Sequence, residues 1–203
     1  MTGERNAGEE RLARQLDFIR EIDRLKSVHR QTLLLDRSRR ENAAEHSWHL
    51  AVMALVMQEH AGESGLDIGR VIRMLLVHDI VEIDAGDTFA YDDEGYRDKA
   101  EREQRAAERL FSLLPDDQRA EMEALWREFE ERRTPEAKFA AALDRLQPMI
   151  HNYLTEGHTW QKHGVTARKV RERNAVIADG SPALWRFAGR LIDSAVRKGY
   201  LEP

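Results

Sequence analysis

The chain is expected to be all-α, a single-domain helical bundle, on three observations. Apolar residues recur at helical spacing in several separate segments. Pro and Gly are scarce, 5 and 12 in 203 residues, and aromatic residues make up 7%, which disfavours a β-rich fold. No segment alternates convincingly between apolar and polar residues. With 41% apolar and 34% charged residues, the length suits one domain with a real core. That domain is taken as 1–203, with its core at about 15–200 and residues 1–8 flexible.

Leu12, Leu16, Ile19, Ile22 and Leu25 predict a first helix over 9–27. A second, over 42–61, starts near Glu41 or Asn42 and is broken by Gly62 and Gly65. Asp67 is expected to cap a third that runs to about Ile83 and ends before Gly86. Phe89 to Gly95 reads as an acidic loop. A polar helix over 97–114 is closed by Pro115, and another spans 116–132. Thr134-Pro135 is a helix start, with Thr as N-cap and Pro at the first helical position. His158 to Gly164 reads as a loop. Two last helices are expected over 166–178 and 182–198, the second after Ser181-Pro182.

Several classes are disfavoured. There is no cysteine, so disulfides, thiolate metal sites and thiol nucleophiles are out. No apolar run approaches the length of a membrane span, and the polar N-terminus lacks the apolar region of a signal peptide; a cytoplasmic location is expected. Net charge is −5 and pI about 5.9, which argues against duplex nucleic acid as a partner. There is no P-loop, dinucleotide-binding glycine motif or nucleophile elbow.

The chemistry concentrates in His78-Asp79, at the end of the apolar run Val71–Val77. His46 precedes it on one expected helix, and Asp144 follows on another, among Ala140, Ala141, Ala142 and Leu143. An ionisable group set into an apolar helix face is costly without a partner. Each residue alone has a bland reading: a packed histidine, a surface acid, an Asp144–Arg145 ion pair. His49 is read as structural, without an acidic companion. Together, two histidines and two aspartates suit one divalent ion, such as Mn, Co, Zn, Fe or Mg. Glu82 falls one turn beyond His78, placed to take a proton from a water that the ion activates. The charged run Arg97–Arg109 reads as a solvated helix face, and Trp126, Trp160 and Trp185 as packing residues.

Three strings carry a resemblance: Arg40 to Ser47, His78 to Asp87, and Leu143 to Pro148. In order and spacing the chain resembles the HD-domain superfamily of metal-dependent phosphohydrolases, on the branch of the 5′-deoxynucleotidases and HD-domain-containing protein 2. The resemblance implies that His46, His78, Asp79 and Asp144 ligate the metal and that Glu82 activates water. It makes Asp87 a carboxylate near the substrate's sugar and Arg30 the arginine that reaches its phosphate. It implies a homodimer and a small phosphorylated metabolite as substrate, first of all a nucleoside 5′-monophosphate. Rival readings are another phosphoester, such as a dNTP or an alarmone, and a helical protein that keeps the metal without turnover. One departure concerns the sugar: the nucleotidases carry a tryptophan after the substrate arginine, where this chain has Gln31.

An indole excludes a 2′-hydroxyl by bulk, and a smaller glutamine loses discrimination that depends on a clash. Ribo- and deoxyribonucleoside 5′-monophosphates should therefore differ in kcat/KM by less than about tenfold, roughly 1.4 kcal/mol. Gln31→Trp should shift the preference toward deoxyribose. A strong deoxyribose preference in the unaltered chain would show that other residues exclude the hydroxyl.

Overall fold

Helix α7, Pro135–Leu154, is the axis of the molecule, seen here in a computed structural model that describes residues 2–203, with side chains from Asn6 onward. Its start follows the expected logic: Thr134 Oγ1 accepts from the Ala137 amide at 3.2 Å, and Pro135 opens the first turn. Ala137, Ala140, Ala141 and Ala142 are buried. These small side chains let several other helices pack around one rod. Pro148 lies inside α7. It has no N–H to give the carbonyl four residues back, so the helical ladder has a gap at Asp144.

The elements before α7 are helix α1 (Thr2–Ile22), strands β1 (His29–Leu33) and β2 (Arg40–Asn42), and helices α2 (Ala43–Met57), α3 (Ile68–Val77), α4 (Glu82–Ala85), α5 (Lys99–Phe111) and α6 (Asp116–Glu131). After it come α8 (His158–Lys162), α9 (Ala167–Asn174), α10 (Ile177–Gly180) and α11 (Pro182–Arg197). The core runs from Leu50 and Ala54 of α2 through Val71, Met74 and Leu75 of α3 to Phe139, Leu143 and Leu146 of α7. Among the described residues, no helix is long and apolar enough to cross a membrane.

Helix α2 begins where Asn42 was expected to start it. The Glu45 amide donates to Asn42 Oδ1 at 2.9 Å, and the Asn42 amide donates to Glu45 Oε2 at 3.2 Å, a reciprocal capping box. This fixes His46 in the first turn, on the buried side. Ser181 caps α11 in a simpler way, accepting from the Leu184 amide at 3.1 Å.

Several expectations change. The strands were missed: β1 and β2 form an antiparallel pair, with His29 opposite Asn42 and Leu33 opposite Arg40. The pair is short and polar, so its sequence carries little period-2 signal. It is held from outside, since His151 Nδ1 lies 3.1 Å from the Leu33 carbonyl and Thr159 Oγ1 donates to the Gln31 carbonyl at 3.2 Å. The third helix ends at Val77, not near Ile83. A turn over 78–81, with i→i+3 bonds such as Ile80 to Val77 at 3.1 Å, leads into α4. Ile80, Val81 and Glu82 are all buried, which a single helix face does not accommodate. The loop expected after His158 is helix α8, and the helix expected over 166–178 divides into α9 and α10. The first helix starts at Thr2, and a 3-10 turn, Asp23–Ser27, completes it. The flexibility expected of residues 1–8 falls partly outside the described residues.

The tightest approach to α7 is at Gly180. A Cβ there would lie 2.1 Å from the Lys138 carbonyl oxygen and 2.9 Å from Ala142 Cβ. Backbone would have to move, so Gly180→Ala should destabilise by about 2–3 kcal/mol, the upper range for overpacking. Urea denaturation reads this directly. An unchanged midpoint would mean that α10 can slide along α7 freely.

Candidate metal centre and its cleft

Asp144 projects from α7 between the two histidines. Its Oδ1 lies 3.1 Å from His46 Nε2 and 3.9 Å from His78 Nε2. His78 Nε2 is 3.0 Å from Asp79 Oδ1, and the two imidazole centroids are 5.8 Å apart. Ligand atoms of His46, His78 and Asp79 all lie within 4.8 Å of one another. Helices α2 and α7 and the turn after α3 thus bring the four expected ligand residues together.

The chemistry of the donor set fits a divalent ion. His78 Nδ1 lies 2.9 Å from the Leu75 carbonyl, which fixes the proton on Nδ1 and leaves a lone pair on Nε2. That Nε2 is buried and has no hydrogen-bond partner. An orphaned acceptor beside Asp79 and Asp144 is unfavourable without a cation. On the other histidine, Nδ1 faces Glu41 Oε2 at 3.4 Å. A carboxylate behind a ligating imidazole orients the ring and makes it a stronger donor.

The charges depend on these partners. Burial works against charge on Asp144, but His46 and Arg145 hold its carboxyl well below the usual range. Burial also opposes a charge on His46, and Arg30 adds to that, yet Asp144 and Glu41 raise the imidazole overall. Glu82 goes the other way. Burial, then Asp79 and Asp87, push its carboxyl well above the ordinary value, and its Oε2 is buried without a partner. Burial likewise raises Asp87.

The centre forms the floor of a cleft of about 900 Å³, counting its open mouth. Arg30, Gln31, Glu82 and Asp87 all line it. Arg30, on β1, donates to Asp79 Oδ2 at 3.1 Å and lies 3.8 Å from Asp87 and 3.7 Å from Glu41. Of the residues expected at the site, all but the fully buried His46 line this one cavity.

Sequence reasoning missed several others. His49 does have an acidic companion: with Glu41 and His151 it forms a second group of potential ligands. The Gln147 amide nitrogen sits among them, 2.7 Å from Glu41 Oε1, 3.2 Å from His151 Nε2 and 3.3 Å from His49 Nδ1, where a cation would stand. Glu41 precedes the helix, so helical spacing does not link it to His49. Lys99 lies in the run taken as a solvated face, yet it lines the cleft with Tyr96, Arg132 and Arg145.

Ligand-type side chains from separate helices, meeting at the floor of a helical bundle, define a class of helical metal-centre proteins. The family model described as HD domain matches residues 22–185, and the chain belongs to that family. A human protein named 5′-deoxynucleotidase HDDC2 is 34% identical over 136 residues. The match covers 66% of this chain and 65% of that one, just under two thirds of the relative's length. A solved structure from Magnetospirillum magnetotacticum, described as a predicted metal-dependent phosphohydrolase, is 59% identical. It superposes with a TM-score of 0.92 over 97% of this chain and 98% of that one. The PH0347 protein of Pyrococcus horikoshii, at 20% identity and a TM-score of 0.58 over 90% and 99%, shares the fold.

Removing a ligand should release the ion. His78→Ala and Asp144→Ala are each expected to lose nearly all bound divalent metal in elemental analysis. Chelation should also lower the melting temperature of the unaltered protein, because an ion held between helices stabilises the folded state through binding. Full metal content in both variants would remove the site assignment.

Proposed function

We propose that the chain is a metal-dependent phosphomonoesterase acting on ribo- or deoxyribonucleoside 5′-monophosphates. The observation that carries the reading is the orphaned His78 Nε2, at the floor of a cleft that also holds a buried acid and an arginine. The names of the human relative and the bacterial neighbour support phosphate hydrolysis. His46, His78, Asp79 and Asp144 would hold the ion, and Mn, Co, Zn, Fe or Mg suits such a set. When bound, the ion supplies positive charge for the phosphate and lowers the pKa of water.

The remaining work falls to the chain's own side chains. Arg30 offers its guanidinium fork to the phosphate, a match of planar donors to paired oxygens. Asp79, which accepts from Arg30 here, would be among the residues that hold the ion. Glu82 takes the proton of the attacking water. Its raised pKa brings it toward the range in which a carboxylate is an effective base near neutral pH. The water oxygen bonds to phosphorus as the ester P–O bond breaks. The departing 5′-oxygen takes a proton from solvent and Glu82 releases the one it accepted, giving nucleoside and inorganic phosphate. Asp87 and Gln31 face the sugar.

The reading includes a homodimer in the cytoplasm, where nucleotides are abundant. Leu12, Leu16 and Ile19 form an exposed apolar stripe on α1, and Trp48, Leu55 and Val56 are exposed on α2. Such surfaces support burial against a second copy.

Hydrolysis of a nucleotide panel with Mn²⁺, Co²⁺ or Mg²⁺, against metal-stripped protein, tests the activity. Release of phosphate from no member of the panel would refute it. Glu82→Gln keeps the shape of the side chain but cannot accept the proton. It should retain metal and lose roughly 10²–10⁴ in rate, the usual scale for a general base. Wild-type turnover at full metal content would show that another group is the base.

A further inference from the structure

The cleft has a second cationic wall that phosphomonoester hydrolysis does not use. Arg132, just past α6, and Arg145, beside Asp144 on α7, both line it. Tyr96 lines it too, and Arg173 of α9 stacks on the Tyr96 ring, with its guanidinium carbon 4.0 Å from the centroid. Four guanidinium nitrogens of this trio are buried without a hydrogen-bond partner: Arg132 Nε, Arg145 Nε, and Arg173 Nε and Nη2.

The trio also lacks counter-ions. Among the described residues, the one carboxylate within 4.0 Å of it is Asp144, 3.8 Å from Arg145 Nε. That is beyond hydrogen-bonding distance, and Asp144 is already engaged by His46. Many arginines elsewhere in the chain find direct partners, as Arg11 does with Asp117 at 2.8 Å and Arg171 with Asp193 at 2.5 Å. The other cation of this wall, Lys99, is paired with Glu103 at 2.5 Å. Burial pushes the Arg173 guanidinium below its usual range, and the neighbouring Arg145 and Arg132 add to that. Three partly buried guanidiniums with buried, unmet nitrogens are unfavourable for the protein alone. A phosphate is the ligand whose geometry and charge meet them, because guanidinium forks match its oxygens.

We propose that Arg132, Arg145 and Arg173 form a second anion subsite, so that the preferred substrate is a nucleotide with a second phosphate besides the one that is cleaved. The proposal rests on the nucleotide reading above and extends it beyond monophosphates. The second phosphate belongs either on the sugar, as in a nucleoside 3′,5′-bisphosphate, or in the phosphate chain, as in a 5′-diphosphate. Both present the same anion to the trio. Arg30 reads the phosphate over the metal centre, and the trio reads the remaining one.

Titration calorimetry on metal-loaded Glu82→Gln protein tests this without turnover. The probes are deoxyadenosine 5′-monophosphate, 3′,5′-bisphosphate and 5′-diphosphate. At least one doubly phosphorylated form should bind about tenfold tighter than the monophosphate, the scale of one charge-assisted hydrogen bond. A gain with the bisphosphate alone assigns the subsite to the sugar phosphate, and a gain with the diphosphate alone assigns it to the chain. Adding Arg173→Gln should collapse the affinities to within about threefold of one another, and so should Arg132→Gln if the first variant fails to fold. Equal affinities before substitution overturn the proposal, as does an advantage that survives both substitutions. Monophosphate turnover without a bisphosphate advantage defeats the subsite and leaves the hydrolase reading standing. If no nucleotide is bound or hydrolysed, the hydrolase reading fails. The trio is then judged by inorganic pyrophosphate: binding that Arg173→Gln abolishes supports it, and no binding overturns it.

Discussion

The contact between Asp144 and His46 organises the molecule. It joins α7 to α2 at 3.1 Å, and neither side chain has another reason to be buried. The alanines around Asp144 allow close helix approach, and the same closeness strips water from the carboxylate. Such a group is tolerated only where cations or donors meet it. His46, His78, Arg145 and Arg30 all converge for that reason. Glu41 then extends the network outward: Oε2 faces His46 and Arg30, and Oε1 accepts from Gln147. One buried carboxylate thus stands behind both a ligand-type histidine and the arginine proposed to read phosphate.

Much of this was legible in the sequence because local rules and global packing agree. Asn42, Asp67, Thr134 and Ser181 each cap the helix they were expected to start or introduce. Asp144 stood out because an acid amid alanines is anomalous on a core face. The clustering of His46, His78, Asp79 and Asp144 followed from the same anomaly repeated on three segments. Glu41 and His49 were not linked, because their meeting depends on a turn from strand into helix that no periodic pattern encodes. The β1–β2 pair was missed for a related reason. Its strands are held by α7 and α8, so tertiary contacts rather than strand propensity stabilise them.

The break after Val77 shows how function competes with regularity. A continuous helix to Ile83 would bury fewer of the side chains that follow His78. The tightened turn instead buries Ile80 and Val81 while keeping Asp79 and Glu82 turned into the cleft. A carboxyl such as Glu82, pushed upward by burial and two neighbouring acids, is a costly element in any core. Costs of this kind concentrate at sites that do chemistry.

The β1–β2 ribbon has an evolutionary consequence. Arg30 and Gln31 sit on an extended segment, whereas the histidines and aspartates of the metal centre sit on or beside helices. The ribbon's carbonyls at Gln31 and Leu33 are gripped by Thr159 and His151, so its path is set by backbone contacts. Arg30 and Glu41 are tied through their side chains to Asp79 and His46, whereas the Gln31 side chain carries no such tie. Substitutions at Gln31 can retune what the cleft accepts without disturbing the residues proposed to hold the ion. A lineage can exchange substrates there by single codon changes, and divergence in specificity should run ahead of divergence in chemistry.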